Sequence, residues 1–147
     1  MADTPMLSSQ DTLISRGHDG LSGQFIVPGD KSVSHRSLIL GGLAIGTTRV
    51  TGLLEGDDVL ATCNAMRALG VTITHEDDGS WLVHGVGTAG LMSPAAPLDL
   101  GNSGTGVRLL MGVVAGQPIT ATFCGDDSLS QRPLRPAGRS PVPLGAG

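Results

Sequence analysis

At 147 residues, 39% of them hydrophobic and 15% charged, the chain is long enough for one domain with a real core and reads as globular, not disordered. A formal charge of −4 with 2% aromatic residues excludes a sequence-independent nucleic-acid binder. Such a protein needs a basic face for phosphates and rings on which bases stack.

Residues 1–20 read as a leading segment: no basic stretch followed by an apolar one marks a secretory signal. The longest apolar run, 38–45, is far too short to span a bilayer, so a soluble cytoplasmic protein is expected. Residues 24–27 (QFIV) read as a short strand ended by Pro28-Gly29-Asp30. Ser32 opens a helix that carries Val33, Leu38, Leu40, Leu43 and Ala44 and ends at Gly46. The β-branched run 47–53 (TTRVTGL) reads as the next strand. Gly56-Asp57-Asp58 then puts an aspartate at a helix N-cap, and VLATCNAMRAL places Val59, Leu60, Cys63, Met66 and Leu69 on one face, closed by Gly70. Residues 71–74 alternate as a strand, Asp77-Asp78-Gly79 signals a hairpin, and 81–84 is its return strand. Cys63 and Cys124, in no metal or redox spacing, are expected to be buried thiols. His18, His35, His75 and His84 form no metal-binding cluster.

The chain repeats itself. Gly29-Asp30 corresponds to Gly101-Asn102 and Arg36 to Arg108, each 72 positions on. Gly46 then matches Gly116, and Gly56-Asp57-Asp58 matches Gly125-Asp126-Asp127, with small deletions accounting for the drift. One strand-helix-strand-helix-strand-strand unit is therefore followed by the start of a second. Pro133, Pro136, Pro141 and Pro143 stand where the second unit needs its second helix, and a helix interior tolerates proline poorly. Residues 134–147 are therefore expected to be a divergent tail, in a chain cut short.

Three places carry groups fit for chemistry. Lys31, Ser32 and Arg36 follow a glycine turn at a helix start, where an ammonium, a hydroxyl and a guanidinium converge on a phosphorylated or carboxylated small molecule. The same residues also suit an ordinary capped helix with both cations in solvent. Gly101, Gly104 and Gly106 precede Arg108 and let backbone approach a ligand, or serve a tight turn and close helix packing. Arg132 alone reads as a surface arginine. The aspartate pairs suit helix caps better than metal or acid–base chemistry, and His35 suits a packing or hydrogen-bonding role better than a base.

In order, PGDKSVSHR (28–36), LDLGNSGTGVR (98–108) and GDDSLSQRP (125–133) resemble the N-terminal part of EPSP synthases, from about Gly20 to Pro133. The sister enzyme acting on UDP-N-acetylglucosamine shares the fold but lacks the Lys-Ser-x-Ser-His-Arg run. The resemblance implies an α/β (α+β) enolpyruvyl transferase-like inverse barrel of β-α-β-α-β-β repeats, with one full unit and part of a second in 21–133. It implies transfer of the enolpyruvyl group of phosphoenolpyruvate to the 5-hydroxyl of shikimate 3-phosphate, on the route to chorismate and the aromatic amino acids. No metal or organic cofactor is implied, and the complete protein is expected to be a monomer. It assigns Lys31, Ser32 and Arg36 to shikimate 3-phosphate, and Lys31, Gly104 and Arg132 to phosphoenolpyruvate. The family's proton-transfer residues lie in its second half, so these 147 residues are expected to hold part of a binding site without complete catalytic machinery and to be inactive alone. The alternative is a non-catalytic fragment that binds an anionic metabolite. Glycine at 104, where tolerant relatives carry alanine, implies a complete enzyme sensitive to glyphosate, although Ser103 and Gly106 depart from the commoner alanines.

Overall fold

Asp30 starts the first helix. In the computed structural model, which describes residues 14, 15, 17, 20 and 22–131, its carboxylate accepts the Val33 N–H at 2.8 Å and caps α1 (Lys31–Leu43). The helix stops short of Gly46 because Ala44 is already extended, and β1 (Ile45–Val50) therefore begins and ends earlier than the sequence suggests. After α2 (Asp57–Ala68), Gly70 takes φ +99°; its own N–H and that of Val71 close the helix on Arg67 and Met66 carbonyls at 3.0 Å. The hairpin of β2 (Thr72–His75) and β3 (Trp81–Val86) turns through 77–79, as Asp77-Asp78-Gly79 indicates. Strand order is β1-β3-β2, antiparallel throughout.

The second copy follows as β4 (Leu98–Asp99), α3 (Gly104–Ala115), β5 (Phe123–Cys124) and α4 (Asp127–Ser130), with β4 and β5 parallel. The order matches the repeat except at one point. Residues 24–27 are extended but lie in no strand, with Phe25 84%, Ile26 96% and Val27 71% exposed. A strand exists only by pairing, and among the described residues nothing pairs with this segment; its counterpart β4 finds β5.

The core lies between the three-stranded sheet and the helices, built from Leu38, Val59, Cys63, Met66, Leu69, Ile73, Val83 and Leu110. Thr62, not Leu60, completes the buried face of α2. Helix α1 lies directly on β3: a Cβ on Gly85 would stand 2.2 Å from the Ala44 carbonyl oxygen. Between α1 and α3 an open apolar groove of about 500 Å³ runs past Leu40, Leu43, Leu109 and Val113. Such an uncovered face is what a partial repeat leaves.

One polar pair sits inside the seam between α1 and α2. His35 and Thr62 are both 0% exposed, with Nδ1 2.8 Å from Oγ1. Thr62 Oγ1 also lies 3.4 Å from the Asp58 carbonyl. Nε2 of His35 is buried without a hydrogen-bond partner. Burial pushes the His35 pKa down and the nearby Lys31 and Arg36 charges push the same way, against the opposing pull of Asp58. Helix α3 docks on the same hydroxyl. A Cβ on Gly106 would lie 2.6 Å from Ser103 Oγ and 2.8 Å from Thr62 Oγ1.

Two outcomes follow for stability. Folded His35 binds a proton less readily than unfolded histidine, which titrates near about 6.5. This contribution is therefore complete above that pH and is lost as pH falls towards the depressed folded value. The thermal midpoint should drop between pH 7.5 and 5.5, and His35→Asn should flatten that drop. Gly106→Ala forces a methyl against two hydroxyls and should cost about 1–3 kcal/mol. Adding Ser103→Ala removes the nearer obstacle, so the double variant should lose less than the sum of the single changes in thermal denaturation.

Candidate functional site

Lys31 is the first residue of α1, and its ammonium reaches across to the Asp58 carboxylate. Asp57 and Asp58 therefore do not cap α2 as their sequence position suggests. Gly56 is the N-cap and makes no side-chain bond, while both aspartates lie in the first turn. Capping by the aspartate pair is realised in the second copy, where Asp126 accepts the Leu129 N–H at 2.7 Å. Lys31, Leu54, Gly56, Asp57, Asp58 and Val59 line a recess of about 270 Å³. Ser34 ties the adjoining loop to α1, its hydroxyl accepting the Leu54 N–H at 3.0 Å.

Ser32 and Arg36 occupy the exposed side of α1. The Arg36 guanidinium folds back along the helix, Nη1 donating to the Ser32 carbonyl at 3.1 Å. In α3 the Arg108 guanidinium does the same to the Gly104 carbonyl at 3.2 Å. Ser32 and Gly104 are repeat equivalents, as are Arg36 and Arg108. The two copies thus build the same device, a guanidinium folded over the first turn of a helix.

Charge makes these positions unusual. A helix N-terminus favours anions, and α2 conforms with two aspartates in its first turn. Helices α1 and α3 have no acidic residue there; α1 opens instead with Lys31. Among the described cations, Lys31 and Arg49 pair with carboxylates, and Arg67 bonds the Ile73 carbonyl at 2.6 Å and 3.0 Å. Arg36 and Arg108 each bond a helix carbonyl, which leaves their charge available to an anion.

Gly104 is buried at the start of α3. Of the three glycines expected ahead of this helix only Gly101, at φ +53°, precedes it, while Gly104 and Gly106 form its first turn. Ser103 caps that turn, accepting the Gly106 N–H at 3.1 Å. Asp99 accepts the Gly101 N–H at 2.9 Å, and Asn102 donates to Asp126 at 2.9 Å, so the turn is fastened to the start of α4. The first turns of α1 and α3 approach one another through Thr62, which touches His35 and faces Gly106. Arg132 lies outside the described residues.

Sequence reasoning missed Asp58 as the partner of Lys31 and Thr62 as the meeting point of three helices, whereas Arg108 was already matched to Arg36. The repeat offset held the signal for Arg108. No local pattern signalled the other two, because their partners lie 27 residues away. Cysteine placement is corrected at one position: Cys63 is buried, and burial pushes its thiol pKa up, whereas Cys124 on the two-residue strand β5 is exposed. Among the described residues no group of three or more His, Cys, Asp or Glu suits a metal ion, and no helix is long and apolar enough to cross a membrane.

The EPSP synthase (3-phosphoshikimate 1-carboxyvinyltransferase) family model matches residues 15–146. A relative from Parvibaculum lavamentivorans, named 3-phosphoshikimate 1-carboxyvinyltransferase, is 57% identical over 96% of this chain and 31% of its own length. One of the same name from Novosphingobium aromaticivorans is 66% identical over 78% of this chain and 26% of its own. The solved EPSP synthase of Acinetobacter baumannii superposes with a TM-score of 0.72 at 54% identity, covering 76% of this chain and 25% of that one. The chain thus spans about a quarter to a third of the length of the relatives it matches. Sequence over most of its length, the helix-and-strand order of the repeat and the backbone superposition agree: this chain belongs to the EPSP synthase family.

Proposed function

We propose that this chain contributes one wall of the active site of a cytoplasmic 3-phosphoshikimate 1-carboxyvinyltransferase, monomeric as a complete protein. In that reaction the 5-hydroxyl of shikimate 3-phosphate adds to the central carbon of phosphoenolpyruvate, and the tetrahedral adduct expels phosphate to leave the enolpyruvyl ether. Both substrates are small anions. The observation that carries the reading is the matched pair of guanidinium-capped helix starts, Arg36 over Ser32 and Arg108 over Gly104. A helix N-terminus with a guanidinium beside it favours a docked anion through both the free first-turn N–H groups and the charge.

Within this reading Lys31 contacts both substrates, exchanging its Asp58 carboxylate for theirs. The Ser32 hydroxyl and the Arg36 guanidinium hold shikimate 3-phosphate. Gly104 offers phosphoenolpyruvate a side-chain-free approach to the first turn of α3, and Arg132 adds charge beside it. These groups bind, orient and neutralise. Such fixed cations stabilise the charge that develops on the departing phosphate. Proton transfer falls to residues of the complete enzyme beyond this chain.

The test is a complete transferase carrying residues 20–131 of this chain in place of its own matching segment. Phosphate release should require both substrates together; release with either one alone, or none with a folded protein, would reject the reading. Arg36→Ala should raise the KM for shikimate 3-phosphate on the order of tenfold to a hundredfold, the worth of a hydrogen bond to a charged group. With Gly104 in place glyphosate should inhibit, and Gly104→Ala should relieve that inhibition while raising the KM for phosphoenolpyruvate. Equal inhibition of both forms would remove Gly104 from the phosphoenolpyruvate site.

A further inference from the structure

Two cross-links join α1 to α2. Lys31 meets Asp58 at the solvent edge and His35 meets Thr62 in the interior, and both pairs are separated by 27 residues. Lys31 and His35 stand one turn apart on α1, as do Asp58 and Thr62 on α2, so the pairs are successive rungs of one ladder. The outer rung joins side chains with 50% and 24% exposure, where an ion pair alone holds geometry weakly. The inner rung is fully buried and short, and sliding either helix by one residue would turn its side chain about 100° away. Buried polar pairs of this kind fix register more than they add stability.

We propose that His35 and Thr62 are positioning residues for Lys31: the buried rung sets the helix register that holds the ammonium opposite Asp58. Neither residue needs to touch a substrate. Thr62 also bears on α3 through Gly106, so one hydroxyl fixes the Lys31 turn and the Gly104 turn relative to α2. Gly106 is the residue that leaves room for it, since a Cβ there would reach to 2.8 Å of Oγ1. The functional meaning rests on Lys31 being a ligand-binding group, as in the function proposed above.

Lys31 is the only lysine among the 147 residues, so reductive ¹³C-methylation, which keeps the positive charge, labels it and the terminal amine alone. The two signals are assigned with Lys31→Arg, which removes the lysine signal and leaves that of the terminal amine. Asp58→Asn gives the reference shift for Lys31 without its carboxylate. Thr62→Val, equal in shape but lacking the hydroxyl, should move the Lys31 signal towards that reference, and Thr62→Ser should restore it. A Thr62→Val protein that melts earlier yet keeps the wild-type Lys31 signal would overturn the proposal. His35→Phe, read the same way, decides the matter if Thr62→Val loses its cooperative melt. Loss of that melt in both would assign the pair to folding alone and also overturn it. Shikimate 3-phosphate should shift the wild-type Lys31 signal and bind Thr62→Val more weakly by on the order of tenfold. A wild-type signal that ignores this ligand would reject the substrate reading, while the variant shifts still decide the positioning role.

Discussion

The hydrogen bond between His35 and Thr62 is the constraint on which the arrangement of the helices depends. It lies in a dry seam, where an unpaired polar group is expensive, so the two helices have one acceptable register. Helix α1 is fixed a second time from the other side, by its close backbone contact with β3 at Gly85. Held between a strand and a buried polar contact, its first turn has little freedom. That rigidity suits a turn whose side chains must meet a ligand at short range.

The candidate site sets cations beside helix starts. Helix α2 begins with acids, as its dipole favours, and one of them is spent neutralising the lysine of its neighbour. Helix α1 is capped by Asp30 and α3 by Ser103, and both carry arginines folded over their first turns. An arginine folded over the first turn at two repeat-related places, and not at α2 between them, marks those two turns out without appeal to any one residue's reactivity.

Much of this was legible in the sequence because its signals are local. Gly70 after α2 and Asp77-Asp78-Gly79 between two strand-like runs each state their structure within a few residues, and both hold. The repeat was legible because equivalent turns keep equivalent residues. What stayed hidden is tertiary. Residues 24–27 have the composition of a strand, yet pairing requires a partner that no window of sequence reveals. Asp57-Asp58 looked like a cap because the sequence does not show that Gly56 can open the helix while Asp58 turns to Lys31. Thr62 carries no signal of its own in the sequence, and its importance appears only when His35 and Gly106 arrive from two other helices.

The paired guanidinium turns also bear on ancestry. A unit of this kind, once duplicated, yields two such turns before any residue has changed. Divergence then needs only small steps: Ser32 keeps a hydroxyl where its image Gly104 keeps bare backbone, and the arginine behind each is retained. Paired turns of one design can thus arise by copying, with selection left to tell the copies apart.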